Sequence, residues 1–174
     1  IYLLPATAVG MYGIINQYGL KMVGGPIGGF MSDKVHKSAA KHIRVGFLVC
    51  AIAMALFLMV PHQSLGESGN WILGAACTLS FGAIVFTMRS VFFAPMDEVK
   101  VPAEITGAAM SLASLVIYLP NAFAYVMYGS FLDRYPGMAG FRIVFTIMIG
   151  WAVIGLFVST FLIHRIKKHQ KNAQ

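Results

Sequence analysis

Lys21 is the side chain in this sequence with the most chemistry to offer. It stands near the middle of an apolar stretch, Ala8 to Met31, with Gln17 four residues before it and Asn16 next to that. Residues four apart share a helix face, so a helix here sets a cation beside an amide. A lysine at the centre of a bilayer costs at least ~2.5–3.5 kcal/mol on insertion scales. Two roles could account for it: an anchor for the anionic group of a ligand, or one half of an internal pair with a carboxylate. No Asp or Glu of this sequence falls at mid-span, which favours the anchor.

A second polar group is Tyr118, Asn121 and Tyr125. Spacings of three and four place them on one helix face, beside Pro120. They could hydrogen-bond a polar ligand, or make ordinary bonds between helices, which are worth less than about 2 kcal/mol. Arg89, near the end of another apolar block, could also bind a ligand. With Asp33, Asp97 and Glu98 close by in polar segments, an ion pair is its expected role. His36, His42, His62, His164 and His169 all fall in loops or at block edges, without metal-ligand spacing. Cys50 and Cys77 sit inside apolar blocks, where a thiol is inert. There is no phosphate-binding loop and no catalytic constellation. The expectation is therefore no enzyme, no metal and no cofactor.

The elements that must position these residues are membrane helices. The sequence is 58% hydrophobic and 11% charged, against about 25% charged in soluble domains, and its mean hydropathy is +0.75. Its apolar residues come in blocks near the ~20 residues that a bilayer core requires, without the alternation of a β-barrel. The expected fold is an all-α polytopic membrane bundle of five transmembrane helices, at about 8–31, 45–60, 71–93, 105–129 and 141–163. A basic tail follows over 164–174. The net charge of +7 sits at block ends, which points to membrane topology and not to nucleic acid. Lys34, Lys37, Lys41, Arg44, Lys100, Arg165, Lys167, Lys168 and Lys171 share one side of a five-span arrangement; Arg134 and Arg142 take the other. Cytoplasmic loops carry the Lys/Arg excess, so the C-terminus is expected in the cytoplasm. Trp71 suits an interfacial anchor at the opposite face.

Polarity sorts the spans. The second and fifth have no ionisable residue in their cores. The first has Asn16, Gln17 and Lys21; the third Thr78, Ser80, Thr87 and Arg89; the fourth Ser111, Ser114, Tyr118, Asn121 and Tyr125. Lipid does not solvate such groups, so the sorting expects two outer helices and three that line a polar interior. Gly24, Gly25, Gly28 and Gly29 form two overlapping pairs of small residues that let helices approach closely, and Gly107 is expected to pack in the same way. The sequence starts at Ile1 with no signal-peptide pattern and is expected to be a piece of a longer protein.

The run Gly29-Phe-Met-Ser-Asp33-Lys34-Val-His-Lys37 resembles the signature of the major facilitator superfamily, G-x-x-x-D-R/K-x-G-R/K-R/K, departing at His36 and Ser38. That motif follows the second helix of each six-helix half. The resemblance implies that the five spans correspond to helices eight to twelve of a twelve-helix transporter. It implies a cytoplasmic gate network of Gly29, Asp33, Lys34, Lys37, Arg89 and Glu98. It also implies that helices nine and twelve are outer scaffolding. Met88 to Ala94, Asp97-Glu98, Pro102 and Thr106-Gly107 are similar to bacterial permeases of the YihN-like kind.

Together these readings expect a secondary transporter of the bacterial inner membrane, working by alternating access. Its partners would be a small-molecule substrate, the lipid bilayer, a coupling proton or other ion, and the N-terminal half of the same chain. Lys21 points to an organic anion such as a sugar acid, sugar phosphate or carboxylate. The alternative is a non-transporting membrane receptor or assembly subunit on a similar bundle.

Overall fold

The computed structural model describes residues 6–59 and 66–172. The expected polar turn over 61–70 falls partly outside the described residues, as do the Trp71 and Asn121 side chains. The described chain is helical throughout, apart from short turns. Helix α1 (Ala6–Ile14) passes through a π-helical turn (Ile15–Gly19) into α2 (Leu20–Phe30), and a second π turn follows (Met31–His36). Then come α3 (Ala39–Met59), α4 (Gly66–Ser90), the short α5 (Ala94–Glu98), α6 (Ala103–Arg134) and α7 (Met138–Asn172).

Local chemistry sets the boundaries. Lys37 takes a left-handed conformation (φ 52°) and ends the second π turn, its amide donating to the Ser32 carbonyl. Ser38 then starts α3 as an N-cap: the Lys41 amide donates to Ser38 Oγ at 3.3 Å. The basic segment expected as a loop over 32–44 is therefore mostly helical. Gly137, at φ 82°, supplies the positive φ that turns α6 into α7. The expected basic tail continues α7 as far as Asn172.

Among the described residues, three stretches are long and apolar enough to cross a membrane: Ala39–Met59, Ala103–Arg134 and Ala139–Lys168. The protein is an all-α membrane-type protein. The run from Ala6 to Phe30 is 25 residues, about 37 Å at about 1.5 Å per residue, but the π turn divides it into α pieces of 9 and 11 residues.

Helix α3 is the hub. It packs on both α4 and α7, while α2 packs on α4 and α6 on α7. Cys50 and Met54 of α3 and Ala152 of α7 form a buried cluster, with Phe81 and Val85 of α4 against it. Another side of α3, with Leu48, Val49, Ile52 and Leu56, stays exposed, as an outer helix also allows. A wholly apolar helix suits lipid and a packed interior equally well, so hydropathy alone does not tell them apart. Helix α6, expected to line a polar interior, is exposed along most of its length in the described chain.

Serine and threonine hydroxyls of α4 and α6 are satisfied within their own helices. Thr78, Ser80, Thr87, Ser111 and Ser114 each donate to a carbonyl three or four residues back in their own helix, at 2.8–3.1 Å. A hydroxyl satisfied within its helix requires no polar cavity. Their presence is compatible with a lipid-facing position.

Candidate functional site

The π turn is built around the polar pair. Asn16 and Gln17 lie inside it, and Lys21 follows at the start of α2. A π turn adds a residue to the helical repeat and is frequent at functional sites. Here it divides the polar residues between two faces. Asn16 is half-buried on α4, where a Cβ added at Gly82 would stand 2.6 Å from Asn16 Oδ1. Gln17 and Lys21 are exposed on the outward side, among apolar neighbours such as Ile14 and Tyr18. Lys21 stands three residues from the midpoint of the Ala6–Phe30 run and has no carboxylate partner among the described residues.

The helix carrying this group is held to α4 at both ends. Towards its start, the Tyr12 hydroxyl meets Thr78 Oγ1 and donates to the Ala75 carbonyl at 3.3 Å. Towards its end, Gly24 and Gly28 lie against α4. A Cβ at Gly24 would be 2.8 Å from Phe86 Cβ, and one at Gly28 would run into Ser90 Oγ and the Thr87 carbonyl. A Cβ at Gly25, Gly29 or Gly107 would meet nothing within 4 Å, so close packing at Gly25 and Gly107 is not observed. Successive glycines face different sides of a helix, and only one of the two overlapping pairs points at the neighbour.

Tyr118 and Tyr125 are exposed, at 51% and 80%, and the Asn121 side chain lies outside the described residues. The structure does not bring them to Lys21. Tyr118 instead meets Arg89, whose guanidinium carbon is 5.8 Å from the ring centroid, within cation–π range. The expected ion pair of Arg89 with Asp33, Asp97 or Glu98 is absent among the described residues. Asp33 is exposed, and Glu98 is engaged elsewhere.

Glu98, at the end of α5, caps α3 from outside that helix. Its Oε2 accepts from Ser38 Oγ at 2.9 Å, and its Oε1 accepts from the Ala39 amide and, at 3.4 Å, from the Ala40 amide. The first amides of a helix lack intrahelical partners, and the dipole there favours an anion. Helix-end donors, not a guanidinium, thus take the carboxylate. Lys34 and Lys37 are exposed nearby and Gly29 is half-buried. Beside them, buried His42 places Nδ1 3.2 Å from His36 Nδ1, which also lies 3.1 Å from the Met31 carbonyl.

Two of these features were not legible in the sequence: the π turn and the cap supplied by Glu98. The Ser38 N-cap could have been read from Ser38-Ala-Ala, but nothing local names its distant partner.

Fold and site define a helical membrane protein with a π-helical turn at polar residues of one helix. The chain is similar to Inner membrane protein YihN of Escherichia coli (strain K12), 51% identical over 171 residues, covering 98% of this chain and 40% of that protein. It is also similar to Inner membrane protein YqcE of the same organism, 24% identical over 166 residues, covering 94% of this chain and 37% of that one. It thus spans less than half the length of these curated relatives. No family model and no solved structure matches.

Proposed function

We propose that the chain is part of a multi-pass transporter of the bacterial inner membrane, built as in the major facilitator superfamily, that carries a small organic anion by alternating access. The observation that supports this most is the π turn at Asn16 and Gln17, followed directly by Lys21, which has no carboxylate partner among the described residues. π-Helical turns inside α-helices are frequent at functional sites, and an intramembrane cation is a functional candidate by default. Lys21 is the anion's anchor and Gln17 a hydrogen-bond donor on the same face. The exposed side of this helix turns to further helices of the full-length polypeptide, and five spans put the C-terminus in the cytoplasm. A proton gradient, another ion gradient or the solute's own gradient drives transport.

The test is uptake by full-length protein in proteoliposomes, using a panel of labelled sugar acids, sugar phosphates and carboxylates with neutral solutes as controls. Wild type is expected to take up an anion, with Lys21→Gln much reduced. If no charged or neutral solute moves, the receptor or assembly-subunit reading replaces this one.

A further inference from the structure

A cavity of about 520 Å³ lies between α3, α4, α6 and α7. It exists because α6 leans on α7 and stands off from α4. Its wall on α3 runs from Ile43 to Met54, about 16 Å at about 1.5 Å per residue. The walls are mostly apolar, with aromatic rings from Phe47 of α3, Phe81 of α4 and Trp151 of α7 among them. Arg89 and Tyr128 are the strong hydrogen-bonding side chains in the lining. Arg89 lies towards the Ile43 end, because α4 runs antiparallel to α3 and the two end segments meet through Glu98 and Ser38.

We propose that this cavity binds an amphiphilic monoanion, its carboxylate or phosphate head on Arg89 and its apolar chain along α3. Arg89 is exposed and has no carboxylate partner among the described residues, so its guanidinium is open to an anionic head group. A guanidinium offers a planar fork that binds carboxylate or phosphate bidentately. One cation fits one negative charge. The apolar walls reject a strongly hydrated polyanion and gain by burying a chain. The volume falls within the range of about 300–1,000 Å³ usual for ligand pockets. Such an anion has two sources, a free alkyl acid or an anionic membrane lipid. No residue of α1 or α2 lines the cavity, so the proposal is independent of Lys21 and of transport.

The experiment uses the full-length protein and reads binding, not flux. In one arm, protein in phosphatidylcholine nanodiscs is titrated with hexanoate, octanoate and decanoate while Trp fluorescence is followed, with Trp151→Phe to assign the signal. In the other, native mass spectrometry in detergent compares retained phosphatidylglycerol with phosphatidylcholine. The expected result is affinity rising up to about fourfold per added methylene, or selective retention of phosphatidylglycerol. The arm that responds identifies the source. Arg89→Gln should weaken binding about tenfold or more, Arg89→Lys should restore part of it, and Ala124→Trp should block it with Arg89 intact. Binding in neither arm, or binding unchanged by both Arg89→Gln and Ala124→Trp, overturns the proposal.

Discussion

Glu98 and Ser38 are 60 residues apart in sequence and share a 2.9 Å hydrogen bond, Ser38 Oγ donating to Glu98 Oε2. With the Ala39 and Ala40 amides on Oε1, this carboxylate joins the segment after α4 to the start of α3. Glu98→Ala leaves those amides without an acceptor and should cost about 1–2 kcal/mol. Glu98→Gln keeps one acceptor oxygen and should cost less. Thermal unfolding of the full-length protein checks the order. Hydrogen exchange at Ala39 and Ala40 checks the place, and should accelerate in Glu98→Ala more than elsewhere in α3.

Small residues on α2 divide by face. Gly28 packs against the Thr87 carbonyl and Ser90, whereas Gly25 faces open space. Gly28→Leu must push α2 away from α4, at about 1–3 kcal/mol or more. Gly25→Ala and Gly107→Ala fill nothing and remove a flexible helical residue, so both should be neutral or stabilising by up to about 1 kcal/mol. Unfolding of the three variants in one detergent tests this. Equal destabilisation at Gly25 and Gly28 would contradict the observed packing.

How far the sequence carries can be argued from these same positions. Long apolar blocks disclose membrane helices because bilayer thickness fixes their length. The pairing of Gln17 with Lys21 on one face follows from helical periodicity. What periodicity does not disclose is which neighbour a face meets. Asn16 and Gln17 are adjacent, yet Asn16 lies against Gly82 while Gln17 faces outward. Nor does hydropathy show which side of α3 is buried: Cys50 and Met54 are as apolar as its exposed Ile52 and Leu56, and their burial depends on where α4 and α7 lie. Arg89 was matched to nearby carboxylates by sequence distance, but Glu98 had better donors at a helix end. The π turn likewise depends on packing, and five residues of ordinary composition do not announce it.

Tyr12 supplies a hydrogen bond between α1 and α4, on the hydroxyl of Thr78 and the carbonyl of Ala75. Thr78 keeps bonds to the Gly74 and Ala75 carbonyls of its own helix, so it is not orphaned when Tyr12 is changed. Tyr12→Phe should therefore cost only about 0.6 kcal/mol, the average for such bonds in membrane bundles. A double-mutant cycle with Thr78→Ala measures the coupling, expected below about 2 kcal/mol. A larger value would make this contact a principal fastening of this helix to α4.

Lys21 allows function and stability to be separated. A charge near mid-membrane with no anion beside it costs at least ~2.5–3.5 kcal/mol on insertion scales. If it is kept for a substrate, Lys21→Gln should leave the resting protein as stable as wild type or more so, while uptake falls at least tenfold. Lys21→Arg, which preserves the charge with a different shape, should retain part of the uptake. If Lys21 instead pairs with a carboxylate elsewhere in the full-length polypeptide, removing it strands a buried charge and should destabilise by about 3–5 kcal/mol. Unfolding and uptake measured on the same preparations decide between these outcomes. Loss of uptake with stability intact supports the anchor. Loss of both assigns Lys21 to an internal pair, and uptake unchanged in Lys21→Gln removes it from the transport site.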